Sequence, residues 1–363
     1  MNEQLYQQCL SLVPLNSMRK DHISALLEHS EYTMRCKDDF IFTYGSNDNA
    51  VYYLLSGDVS LSHSGGQQRV ISADTHWLPI VQYQRRQFQA QTLNDCFILK
   101  VDYQKLDELM TWSHIADYLE IDISYEREHD DDLQWMKTVL NSNLFYKVPP
   151  IKIQGIFSKI EAINVAVNEV ILHQGDEGDY CYFIKEGVAE VLRQSDVSSV
   201  VEKVAEITQG RCFGEDALIQ KTVRNATVKM LTAGTLMRLH KDDFMQLITL
   251  TEEDHFNTTS LAAVDMGKTT FLDVRTQEEY DHEHLRDATH IPLNLLRLKI
   301  RVLEKEQHYT VYCNAGYRSR AAAYLLAQKG FSITLLDGGL NSLVQHQVEE
   351  FLDYEESALG YAR

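Results

Sequence analysis

The chain has 363 residues, enough for two or three domains, and its 44% hydrophobic and 24% charged residues exclude a disordered polymer. A net charge of -19, from 34 Lys plus Arg against 53 Asp plus Glu, repels phosphate backbones and anionic bilayers, so no nucleic-acid or membrane partner is expected. Six scattered cysteines form no C-x-x-C pair or zinc-spaced cluster, and neither a signal peptide nor a membrane-spanning apolar run occurs, which predicts a cytoplasmic protein with reduced thiols and no metal.

Residues 39–57, DFIFTYGSNDNAVYYLLSG, read as a short strand, a Gly turn, a second apolar strand and a closing Gly. The same pattern returns at 169–187, EVILHQGDEGDYCYFIKEG, where Gly175 answers Gly45 and Gly187 answers Gly57 at a constant offset. Downstream, 96–110 echoes 235–248 as a strand followed by an acidic helix start. The two halves therefore share one fold of short strands closed by helices. Between them, residues 104–143 place Leu106, Leu109, Met110, Ile115, Leu119 and Ile123 at spacings of three and four, which predicts an amphipathic helix packing on its own domain. That helix is also a candidate for homodimer formation. The acidic run 126–132 reads as a solvated helix face or the start of the next helix.

Residues 213–227, FGEDALIQKTVRNAT, gather an anion-binding set. Gly214 allows close backbone approach, Ala217 and Leu218 follow in a short helix, and helix N-termini favour anions. Arg224 can neutralise a phosphate, and Glu215 can accept a sugar hydroxyl. Together with 174–187, this segment resembles a cyclic nucleotide-binding domain over about residues 143–250. The resemblance implies that Arg224 binds the cyclic phosphate and Glu215 the ribose 2′-hydroxyl. Gly214, Ala217, Leu218 and Ala226 would shape the pocket, with Thr227 near phosphate or base. Asn225 and Thr227 offer polar groups to either cAMP or cGMP. The N-terminal counterpart, residues 75–91, lacks the Gly-Glu pair although Arg85 stands roughly opposite Arg224, so that copy is expected to be degenerate, structural or dimerising, and without ligand.

After residue 255, the apolar runs 269–274, 309–313 and 332–337 alternate with helical stretches at 296–305 and 319–329, which predicts an α/β domain with a parallel sheet. Gly330 is placed for a left-handed helix cap. A buried strand should end at Cys313, followed by a six-residue turn and a helix from near Ser319. Such a turn wraps N–H groups around the sulfur and lowers the thiol pKa. Gly316 permits the curl, Ala315 keeps the pocket open, and Arg318 can hold an anionic donor.

The stretch Cys313, Asn314, Ala315, Gly316, Tyr317, Arg318, Ser319 resembles the C-x-x-G-x-R-S loop of single-domain rhodaneses, and the likeness extends over about residues 258–350. Residues 271–293 look like that family's opening segment and 335–343 like its closing one, with Leu343 where the family usually has tryptophan. This change should alter packing and leave the chemistry alone. The resemblance implies that Cys313 takes sulfur from thiosulfate or a protein persulfide and passes it on. Asp273 and Arg275 read as a structural ion pair. Cell-cycle phosphatases share this fold with five residues between Cys and Arg; here four separate Cys313 from Arg318, too few to cradle a phosphate.

The expected architecture is multidomain: two cyclic nucleotide-binding β-rolls of jelly-roll type with flanking helices, then a rhodanese-like domain. The boundaries fall at 1–125, 126–255 and 256–363. The expected function is a bacterial signalling sulfurtransferase regulated by cyclic nucleotide. The alternative is a non-enzymatic nucleotide sensor whose last domain docks a partner. A transcription factor is excluded, since no recognition helix with clustered Arg and Lys appears.

Overall fold

In the computed structural model the described residues are 3–62, 68–80, 86, 88–126, 159–194, 200–248, 256–343 and 350–354. Arg85 lies outside them, as do residues 127–143 of the expected helix and all of the acidic run beyond Glu126. The chain divides into two units: Met1–Tyr118 together with His255–Arg363, and Leu119–Asp254.

Within the first unit, the N-terminal strands make two antiparallel sheets. One has the order Glu31–Arg35, Cys96–Asp102, Ala50–Ser56; the other runs Phe40–Phe42, Gln89–Thr92, Asp58–Ser62, Gln68–Ser72. Alternating strand residues such as Tyr52, Leu54, Val59, Leu61, Ile71 and Ile98 fill the space between them. The second unit repeats the plan. Cys212–Phe213, Tyr180–Glu186, Gly234–His240 and Glu161–Val165 form one sheet, and Val201–Ile207, Ala189–Gln194, Thr227–Met230 and Val170–Leu172 the other. Its core holds Tyr182, Ile184, Phe213, Val228 and Leu236.

The repeat extends to backbone detail. Gly45 and Gly175 adopt φ of 74° and 94°, and Gly57 and Gly187 adopt 90° and 105°, the left-handed region that only glycine enters without strain. Asp38 and Asn168 match as well, at 70° and 64°. Even the strand irregularity between Leu54 and Ser56 recurs between Ile184 and Glu186.

The C-terminal part is α/β. Its five-stranded sheet has the order Thr258–Thr259, Ser332–Leu336, His308–Tyr312, Thr270–Asp273, Thr289–His290, with every neighbouring pair parallel. Helix Tyr317–Gln328 buries Ala321, Ala322, Ala323, Leu325 and Leu326. It ends at Gly330, whose φ of 84° supplies the left-handed cap. Leu343 packs in the core with Tyr312, Leu336 and Leu340.

Two sequence expectations change. The stretch 296–305 is helical only over Leu296–Lys299, followed by a 3-10 turn Ile300–Val302. Leu298 and Val302 face solvent at 46% and 67% exposure, so a longer helix would gain little apolar burial. Helix Tyr103–Glu126 is not amphipathic over its first four turns, because burial runs around its circumference. Leu106, Leu109, Met110, Trp112, Ile115 and Leu119 are buried, and so are the polar residues Asp107, Thr111, Ser113 and His114. The polar faces have partners of their own: Ser113 Oγ accepts the Arg19 N–H at 2.8 Å and lies 2.7 Å from His22 Nδ1, and His114 Nε2 lies 3.1 Å from Ser17 Oγ. None of the described helices is long and apolar enough to cross a membrane.

Candidate functional sites

Cys313 follows the central strand His308–Tyr312 directly, and the turn after it is shorter than the sequence suggested. Gly316, at φ 110°, serves as the N-cap, so the helix begins at Tyr317 and Asn314–Gly316 alone form the turn. No atom lies within 4 Å of a Cβ built on Gly316; its backbone angle, not crowding, requires glycine. The Gly316 N–H donates to Cys313 Sγ at 3.1 Å, and the thiol points to Ser319 Oγ at 3.6 Å. Ser319 Oγ in turn donates to the Gly316 carbonyl at 3.2 Å. Ala315 is half-buried and Tyr317 is exposed.

The loop is fixed from two sides. Leu340 and Asn341 donate their N–H groups to the carbonyls of Cys313 and Asn314, each at 3.0 Å. A Cβ on Gly339 would sit 2.2 Å from the Cys313 carbonyl oxygen, so that closing segment presses directly on the loop. On the other side, Asn314 donates to Glu279 at 2.8 Å and accepts from Arg275 at 3.0 Å. Arg275 and Asp273 form a fully buried ion pair at 2.8 Å. It anchors the loop through Asn314 and stays clear of Cys313.

Arg318 is 0% exposed and all its nitrogens are engaged. Nη1 and Nη2 donate to the two Glu279 carboxylate oxygens at 2.6 and 2.9 Å, and Nε donates to Asp107 at 3.1 Å. Asp107 belongs to the long N-terminal helix, and its other oxygen accepts the Tyr317 N–H at 3.4 Å. Sequence reasoning missed this residue: the partners are 211 positions apart and no motif links them.

The thiol departs from expectation. Burial pushes the Cys313 pKa up, and the Asp107 carboxylate adds to the rise; Arg318 and the Ser319 hydroxyl oppose it without winning. The turn and helix start do favour the thiolate, but with Cys313 at 0% exposure the missing hydration outweighs them.

In the second unit, the cassette residues come together. Gly214, at φ 83°, caps helix Glu215–Gln220. Arg224, 3% exposed, donates to the Gly214 carbonyl at 2.5 Å, to the Tyr180 carbonyl at 2.7 Å and to Asp179 at 3.3 Å. Its backbone is pinned to the hairpin turn, since Gly175 N–H donates to Arg224 O at 2.9 Å and Arg224 N–H to Asp176 O at 2.8 Å. Glu215, Ala217, Leu218 and Ala226 are all buried beside it. Thr227 Oγ1 accepts the Gln174 N–H at 3.0 Å. Space is tight around the guanidinium. A Cβ on Gly178 would lie 2.8 Å from Leu218 Cδ2 and 3.3 Å from Arg224 Cζ.

In the first roll, Arg86 holds the station of Arg224. Gly45 N–H donates to Arg86 O at 2.8 Å, as Gly175 does to Arg224, and the Arg86 guanidinium donates to the Ala50 carbonyl as Arg224 does to Tyr180. Asp48 stands where the second unit has Gly178, and its carboxylate pairs with Arg86 while accepting the Tyr52 hydroxyl at 2.7 Å.

Comparison with known proteins identifies two stretches of the chain. Residues 162–250 match the cyclic nucleotide-binding domain, and residues 258–346 match the rhodanese-like domain. The cAMP-dependent protein kinase regulatory subunit of Schizosaccharomyces pombe is 35% identical over 95 residues, covering 26% of this chain and 22% of its own. A cyclic nucleotide-gated potassium channel of Mesorhizobium japonicum is 34% identical over 110 residues, covering 30% of this chain and 29% of its own. The chain thus spans less than a third of the length of either. The thiosulfate sulfurtransferase PspE of Escherichia coli is 35% identical over 81 residues, covering 22% of this chain and 78% of its own.

Proposed function

Because the chain belongs to the rhodanese-like family over residues 258–346 and carries a cyclic nucleotide-binding domain over residues 162–250, we propose that it is a nucleotide-regulated sulfurtransferase. The domains would run 1–125, 126–255 and 256–363. The observation that carries the reading is the Gly316 N–H held on Cys313 Sγ at the start of a helix. That donor stabilises negative charge on the sulfur, as an oxyanion hole does for oxygen.

In the reaction, the Cys313 thiolate attacks the outer sulfur of thiosulfate. A new S–S bond forms at Sγ, the donor's S–S bond breaks, and sulfite leaves with the electron pair. A thiolate or cyanide then attacks the terminal sulfur of the persulfide, and Cys313 departs as thiolate. Neither step needs an oxidant or a metal. Asn314 and Ser319 orient the loop, while Ala315 and Tyr317 flank its mouth.

In the second unit, Arg224 would neutralise the cyclic phosphate, and Glu215 would accept the ribose hydroxyl. Gly214, Ala217, Leu218, Ala226 and Thr227 would surround the ligand, cAMP or cGMP. Binding would alter sulfur transfer, and that coupling is reciprocal in affinity.

Incubation with thiosulfate followed by intact-mass measurement tests the chemistry. One added sulfur, lost in Cys313→Ser, is expected. No adduct, or one that survives the substitution, would leave a nucleotide sensor whose last domain docks a partner. Unchanged transfer rate and donor affinity under saturating cAMP and cGMP would remove the regulation.

A further inference from the structure

The Cys313 loop meets a surface supplied by the N-terminal β-roll through Asp107, and Cys313 is fully buried beneath it. The cavity between them measures about 20 Å³ and is lined by Pro14, Tyr53, Tyr103, Asp107 and Met110 on one side and by Asn314 and Arg318 on the other. That cavity has room for water, and Cys313 itself is 0% exposed, so the thiol is covered in this arrangement. Arg318, the cation nearest the thiol, already serves two buried carboxylates, Glu279 from its own domain and Asp107 from the roll.

Resting on the sulfurtransferase reading above, we propose that Asp107 is a specificity-determining gate of the Cys313 site: its carboxylate occupies the edge of Arg318 that an anionic sulfur donor would take. The two carboxylates differ in kind. Glu279 is bidentate and held by the Thr276 N–H and Asn314 as well, so it is built into the loop. Asp107 comes from another part of the chain and reaches Arg318 through Nε alone. Withdrawing the roll would free Nε and the Tyr317 N–H together, and both donors would then face an incoming anion. The degenerate roll would thus be an inhibitory cover. Asp107 lies on helix Tyr103–Glu126 of the N-terminal part.

The test uses the full chain with Asp107→Asn, which removes the charge, and Asp107→Ser, which also opens space. Arg318 keeps Glu279 in both, so its charge stays paired. KM for thiosulfate should fall at least tenfold with little change in kcat, and alkylation of Cys313 by iodoacetamide, read by peptide mass, should accelerate at least tenfold. Folded variants in which KM and alkylation both stay within twofold of wild type would overturn the gate. The wild-type chain gives a reading that needs no variant: native Cys313 should alkylate at least a hundredfold more slowly than exposed Cys36. Equal rates would overturn the proposal even if both variants failed to fold. Alkylation is independent of sulfur transfer, so a missing persulfide would count against the proposed function and leave the gate standing.

Discussion

Glu279 holds Arg318 with both carboxylate oxygens, at 2.6 and 2.9 Å, where neither side chain meets solvent. Burial alone would raise the glutamate's pKa, but the Arg318 charge and its hydrogen bonds bring it down to about 2. Glu279→Gln leaves that guanidinium with Asp107 as its carboxylate partner. Breaking a buried pair in this way costs about 3–5 kcal/mol, which urea unfolding of the full chain should register. A loss below about 1 kcal/mol would mean the pair is not what orders the loop.

Acidification should destabilise the first unit well before Glu279 titrates. Burial lowers His114 to about 3, with Arg318 adding to the effect; burial also lowers His22 and His282 to about 4. All three are neutral in the fold, while the unfolded chain protonates them near pH 6.5. Their contribution is therefore full above that pH and lost as pH falls toward 4 and 3. At about pH 5, each would have cost about 2 kcal/mol relative to neutral pH. Urea midpoints between pH 7 and pH 5 measure this, and a flat profile would contradict it.

Gly316→Ala should cost about 1–2 kcal/mol, since alanine at φ 110° is strained although nothing crowds its Cβ. The same variant should shift the N–H from Cys313 Sγ and slow persulfide formation. Wild-type rates together with wild-type stability would show that the turn does not depend on its backbone angle.

A nucleotide at 100 times its Kd stabilises a one-site domain by about 2.7 kcal/mol, visible as a thermal shift. Arg224→Gln should abolish that shift, whereas Arg86→Gln should leave it intact. Gly178→Asp places a carboxylate against Arg224 as Asp48 is placed against Arg86, and it should abolish the shift without unfolding the unit. Retained response in either second-unit variant would contradict the phosphate role of Arg224.

The sequence carried what local backbone geometry dictates. Paired glycines at a constant offset announced two copies of one roll, and the alternation of strand and helix announced the parallel sheet. The cassette and the Cys313 loop were legible because each is continuous in the chain. The turn length was misread because a left-handed Gly316 starts the helix two residues early. Helix Tyr103–Glu126 was misread because periodicity assumes one buried face, whereas its Ser113, His114 and Asp107 each meet a different partner. The raised thiol pKa had no signature either, because its main cause is tertiary burial, with a carboxylate from the other end of the chain adding to it.

Asp48 gives the first roll a permanent occupant. A tethered carboxylate cannot dissociate or be diluted, so in the proposed reading the Arg86 guanidinium is not offered to a diffusible phosphate. On that reading only the second roll of a chain would answer to nucleotide, and its occupancy would rise as a simple hyperbola. Two coupled rolls would sharpen such a response, whereas one would keep it graded.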